Sequence, residues 1–277
     1  MVKITALLEN ISKSNEFKNK HGLSFYIETK GHKILMDLGP DDSFIFNAKK
    51  LGIDLAKVDT VVISHGHGDH GGGLKSFLEI NQDAKIYVRE NIFDEYYVNL
   101  GNEYKFIGLD KKLKESQQIV FVKDKDYFEI DKGLWLFSDL KGEKYLSSAN
   151  KALFKKDDEE FKEDGFFHEQ CLVVEESGNQ VLLGGCAHSG IINILDKFVK
   201  RCNKTPNYII SGLHLYNPDS GISEKEDLIL SISDELCKLN IELYTCHCTG
   251  IYPFSVLERE LGAEKIKYFY TGMCIEI

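Results

Sequence analysis

The sequence predicts an α+β sandwich: two mixed β-sheets packed face to face, with helices on both outer faces. Three observations carry this. Short apolar strands lead each half of the chain and helices follow them. The strand candidate Val58 to Ile63 is β-branched and apolar without alternation, which fits burial on both faces. A dense mixed-charge stretch at 141–168 then interrupts the pattern, and the strand–helix order restarts after it. The 277 residues are therefore read as a single domain, 1–277, of two halves, about 1–140 and 166–277, joined by that charged loop.

The elements follow in order. Lys3–Leu8, Leu23–Ile27 and Lys33–Leu38 are short apolar strands punctuated by Gly22, Gly31 and Gly39. Phe44, Ile45, Ala48 and Leu51 recur at helical spacing, so a helix spans Asp42 to Leu51 with Gly52 as its stop. After Val58–Ile63 come a helix (Leu74–Ile80), a strand (Lys85–Val88), a helix (Glu90–Val98) and strands at Ile119–Val122 and Leu134–Ser138. The run Lys155 to Asp164 reads as an exposed loop or a short surface helix. A hairpin, Cys171–Glu175 with Gln180–Leu183, turns at Ser177-Gly178-Asn179. Helices at Ile191–Arg201, Ser223–Leu239 and Tyr252–Leu261 alternate with strands at Tyr208–Ser211, Ile241–Thr245, Lys267–Tyr270 and Met273–Ile277.

Composition narrows the function classes. Lys+Arg total 34 against 44 Asp+Glu, a net charge of −10, so no nucleic-acid partner is expected. Hydrophobic residues make up 43% and charged residues 28%, an ordinary globular balance. No stretch has the roughly 18 uninterrupted apolar residues of a membrane helix. Glu9 interrupts the N-terminal segment, so a cytoplasmic location without a leader is expected. Seven cysteines, an odd number without a leader, read as reduced thiols. Cys246 and Cys248 lie two apart on an expected strand.

The chemistry concentrates in His65-x-His67-x-Asp69-His70, at the exit of the buried strand. Three imidazoles and a carboxylate in six positions suit a divalent cation: zinc first, with iron or manganese as alternatives. The intervening glycines let the loop turn tightly. His188 and His247 occupy the same strand-exit, pre-helix context, where open α/β folds build sites. His168 and His214 are further candidates, whereas His21 and His32 fall outside the pattern.

These motifs, in this order, resemble the metallo-β-lactamase-fold hydrolases. Gly185-Cys186-Ala187-His188-Ser189-Gly190 and His247-Cys248-Thr249-Gly250 are similar to the subgroup of dihydropterin–ribofuranosylaminobenzene-phosphate synthase-like proteins. The resemblance implies two adjacent divalent ions. One would be held by His65, His67 and either His188 or His168, the other by Asp69, His70 and His247. Asp37 and Ser64 would orient ligands, and Asp69 would manage protons. The family's bridging aspartate is replaced here by Gly185-Cys186, so Cys186 or His188 takes that place. The implied activity is hydrolysis of a small anionic phosphoester- or lactone-type metabolite by metal-activated hydroxide. A non-catalytic metal binder or a di-iron redox protein on the same fold is the alternative.

Overall fold

A computed structural model describes residues 1–123 and 127–277. Among these, two seven-stranded sheets form the body. The first runs, edge to edge, Cys274–Glu276, Lys3–Leu8, Ser24–Glu28, Lys33–Met36, Thr60–Val62, Lys85–Arg89 and Ile119–Val122. The second runs Ile266–Tyr268, Glu242–Thr245, Tyr208–Ser211, Asn179–Leu183, Gln170–Glu176, Leu134–Ser138 and Phe128–Asp131. The sheets do not divide at the charged stretch. Residues 128–138 already belong to the second sheet, and the last strand returns to pair with Lys3–Leu8 in the first.

Three apolar clusters define the layers. One lies between the sheets and draws on both, with Ile4, Phe25, Ile34 and Val62 meeting Leu136, Leu172, Leu183 and Ile210. The other two lie between each sheet and its helices. Phe44, Phe77 and Leu74 cover the first sheet, while Phe198, Ile229 and Leu257 cover the second. The sandwich of helices, sheet, sheet and helices expected from the sequence is therefore the fold.

Each sheet has a parallel core. Lys33–Met36, Thr60–Val62, Lys85–Arg89 and Ile119–Val122 run parallel, as do Asn179–Leu183, Tyr208–Ser211, Glu242–Thr245 and Ile266–Tyr268. Their C-terminal ends open onto one rim, and every strand exit flagged in the sequence lies there.

Three local expectations are corrected. Residues 90–98 are not a helix: after a turn the chain enters the strand Glu95–Asn99, with Tyr96 and Val98 buried and their neighbours half exposed. That period-2 pattern is carried by aromatic and β-branched residues, which favour a strand. Residues 141–168 are not a loop. A 3-10 turn, Ser148–Ala152, leads into a hairpin of Leu153–Asp157 and Glu160–Glu163. Glu95–Asn99 pairs with both Leu153–Asp157 and Tyr104–Phe106, giving a four-stranded sheet. Dense charge hid the strand signal: Phe161 stacks on Tyr104 at 3.8 Å and meets Tyr97 edge-on, so the aromatics supply the cohesion. Cys246 and Cys248 do not share a strand, because it ends at Thr245 and His247–Thr249 form a 3-10 turn.

Candidate metal centre

The site begins where two parallel neighbours end. Asp37 follows Lys33–Met36 and Ser64 follows Thr60–Val62. The Asp37 carboxylate accepts the Ser64 N–H at 2.7 Å, the Ser64 hydroxyl at 2.7 Å and His70 Nδ1–H at 2.6 Å. One buried side chain thus ties both strand ends to the His65–His70 loop. Asp37, Ala187, His214 and His247 all have positive φ without being glycine, a costly conformation that clusters at functional sites.

His65, His67 and His188 converge. Their ring centroids lie 4.6 to 5.0 Å apart, and all three are buried. Each Nε2 has no hydrogen-bond partner. Ser64 Oγ donates to Asp37 and so accepts from His65 Nδ1–H at 2.9 Å, which leaves the Nε2 lone pair free. Asn150 repeats this for His188: its Oδ1 accepts from Nδ1–H at 3.1 Å and its Nδ2 donates to the His188 carbonyl. Burial pulls all three imidazoles below their ordinary pKa, so they stay neutral, as cation ligands must be. Three buried, neutral nitrogens without a hydrogen bond would be costly without an occupant. They fit a cation.

A second set adjoins the first. Asp69, His70, Cys186 and His247 offer donor atoms within 4.8 Å of one another. His247 Nδ1–H donates to Asn10 Oδ1 at 2.8 Å, and its N–H donates to Glu9. Both His70 and His247 therefore present Nε2 inward, 3.2 Å apart, with Asp69 Oδ2 3.4 and 3.2 Å away. Burial acts to lower the His70 pKa, but Asp69 and Asp37 outweigh it and push it up to about 10. The two carboxylates thus favour positive charge at this spot. Cys186 Sγ lies 3.2 Å from His70 Nε2 and also groups with His65 and His188, so it touches both sets. Burial pushes its thiol up, an effect that a coordinating cation reverses.

His168 stands differently. Its Nδ1 accepts the Gly66 N–H at 2.8 Å, its Nε2 faces Asp164 at 2.9 Å, and its ring lies 4.1 Å from Tyr96. Both nitrogens are engaged, so of the two alternatives for a third imidazole, His188 is the one with a free nitrogen beside His65 and His67. The geometry of His168 holds the loop in place. Gly66 fits tightly there, since a Cβ would lie 2.6 Å from the Ile92 carbonyl oxygen.

Several contributors escaped sequence reasoning. Glu9, noted only as a break in apolarity, is fully buried and accepts from His247 and Ile11, and burial raises its pKa to about 7. Glu169 clamps the strand exit by accepting the His188 and Ser189 N–H groups at 2.7 and 2.9 Å. A carboxylate leading straight into an apolar strand was the available signal. His21, set aside in the sequence, lies with Nε2 3.3 Å from Asp69 Oδ2 and its ring 4.6 Å from His247. Among the histidines, His32 alone is elsewhere, between Asp59 and Asp131.

Gly185 shows why no carboxylate occupies that position. A Cβ there would lie 2.2 Å from Ser64 Oγ. Gly185→Ala is expected to displace Ser64 from Asp37, costing about 1–3 kcal/mol and weakening metal retention. Chemical denaturation and metal analysis of the variant check this. Wild-type values for both would show that the contact is easily relieved.

The donors open into a cleft of about 430 Å³. Its floor includes His67, Asp69, Cys186, His188 and His247, and its wall is the four-stranded sheet. Val98 and Lys105 are cross-strand partners and both line the cleft, with Leu153 beside them. The aromatic residues Tyr97, Tyr104 and Phe106 of that sheet do not line it.

Comparison with known proteins agrees with this geometry. The profile described as the metallo-beta-lactamase superfamily matches residues 19–198. A 7,8-dihydropterin-6-methyl-4-(beta-D-ribofuranosyl)-aminobenzene-5'-phosphate synthase of Methanocaldococcus jannaschii is 29% identical, over 99% of this chain and 96% of its own. A solved metal-dependent hydrolase of the beta-lactamase superfamily is 30% identical with a TM-score of 0.83, covering 100% of this chain and 99% of its own. Zn(2+)-bound PqqB of Methylobacterium extorquens shares the fold at 11% identity, with a TM-score of 0.59 over 99% of this chain and all of its own. By its profile match, its fold and its clustered ligand-type residues, the chain belongs to the metallo-beta-lactamase superfamily.

Proposed function

We propose that this protein is a metal-dependent hydrolase-type enzyme with two adjacent divalent cations. His65, His67 and His188 would hold one, and Asp69, His70 and His247 the other, with the Cys186 sulfur reaching both. The observation that carries the reading is the convergence of three buried Nε2 atoms without a hydrogen-bond partner, the His67 one with the Asp164 carboxylate 3.8 Å away. Imidazole and carboxylate donors favour zinc, and the thiol favours zinc or iron. When bound, such a pair supplies Lewis acidity and lowers the pKa of water.

The chain's own residues supply the rest. Asp69 lines the cleft, and the surrounding histidines outweigh burial to keep its carboxyl well below the usual carboxylate range. An ionised Asp69 can accept a hydrogen bond from an attacking water and orient it. Asp37, Ser64, Asn150 and Asn10 fix the imidazole tautomers. Lys105 places a cation on the cleft wall beside apolar Val98, Ile107 and Leu153. That pairing supports a small metabolite with an anionic group and an apolar body, of phosphoester or lactone type.

A second reading has a specific observation behind it. The full-length likeness to a synthase, at 29% identity, supports group transfer onto an aromatic ribose phosphate at the same centre. Both readings put a ligand with an anionic group in the cleft. A turnover panel of phosphomonoesters, phosphodiesters and lactones, run on metal-loaded protein, tests the first. Hydrolysis of at least one class that Asp69→Asn abolishes is expected. Absence of turnover across the panel by fully loaded protein would reject hydrolysis and leave transfer or binding.

A further inference from the structure

A third group of donors lies beside the two described above. Cys186, His214 and Cys248 bring Sγ, a ring nitrogen and Sγ within 4.8 Å of one another, all buried. Neither ring nitrogen of His214 has a partner, although the residue is only 8% exposed. A buried imidazole unsatisfied at both nitrogens is unfavourable unless something occupies it. The backbone prepares the place. His214 sits at positive φ, and its N–H donates to Cys248 Sγ at 3.3 Å, which fixes the position of the sulfur. Gly212 leaves room for the sulfur, because a Cβ would approach Cys248 Sγ to 2.6 Å. Cys186, His214 and Cys248 all line the cleft.

We propose that Cys186, His214 and Cys248 form a separate thiolate-rich site for a soft divalent cation of the zinc class, open to the cleft on its fourth side. Two thiolates balance the charge of such a cation, and the donor types are soft. Two cysteines and one histidine with a vacant fourth position is the arrangement of zinc sites that receive a substrate oxygen. The site goes beyond the two-cation reading and shares with it only Cys186, whose sulfur would link the groups. An anionic substrate atom entering the cleft, which Lys105 also lines, would meet this cation.

Cobalt(II) is a suitable probe, because thiolate ligation adds a near-ultraviolet charge-transfer band. Reduced, chelator-treated protein would be titrated with cobalt alone, and the bound equivalents counted by equilibrium dialysis. Cys248→Ser and His214→Gln are each expected to bind one equivalent fewer than the wild type. Cys248→Ser should also lose about half of the thiolate band. Thermal unfolding followed by circular dichroism verifies that both variants fold. If either folded variant retains the full wild-type cobalt count, the third site is overturned. That comparison is independent of the two-cation reading, whose own failure would show as fewer than two equivalents remaining in the folded Cys248→Ser variant.

Discussion

His67→Ala is expected to lose one equivalent of bound metal and its turnover while remaining folded. His67 contributes one of the three nitrogens without a hydrogen bond, so its removal leaves two imidazoles in that set. Residues that merely orient a ligand change metal affinity by about 10–100-fold when replaced, so loss of a ligand itself should exceed that. The fold should survive because the loop keeps its other ties. Gly66 still donates to His168, Gly68 still donates to the Ile107 carbonyl, and Asp37 still grips Ser64 and His70. Elemental analysis after desalting, with circular dichroism as the folding check, decides it. A folded variant with wild-type metal content would remove His67 from the ligand set.

Asp37→Ala should instead damage both stability and metal binding. The carboxylate is fully buried and satisfies three donors from Ser64 and His70. Removing one partner of a buried charged pair costs about 3–5 kcal/mol. Loss of the Nδ1 acceptor also frees His70 to rotate, and Ser64 no longer fixes the His65 tautomer. Denaturant unfolding should show a lowered midpoint in the metal-free variant, and metal titration should show weaker binding. A midpoint unchanged from wild type would mean that Ser64 and His70 find other partners, and the role given to Asp37 would fail.

The sequence carried the layered fold and the parallel strand exits well, because strongly apolar runs such as Val58–Ile63 and Tyr208–Ser211 leave little choice of burial. It also pointed to residues that converge at the rim, since imidazoles at strand exits are a compact signal. Three things were not legible. The four-stranded sheet over the cleft was masked by charge, because Phe154 and Phe161 are sparse among lysines and acids. The choice between His168 and His188 depends on which ring nitrogens the backbone and Asp164 claim, a contact between segments far apart in sequence. Glu9 and His21 reach the centre from the N-terminal segment only because Leu23 N–H pairs with the Asp69 carbonyl and Thr271 holds Glu9.

The central claim is that two cation sets share this cleft. The direct measurement is the metal-to-protein ratio of the folded wild-type chain after saturation with zinc and removal of excess by gel filtration. At least two tightly held equivalents are predicted, falling by one in His188→Ala and by one in His247→Ala. A folded wild type that retains one equivalent or none would contradict the account.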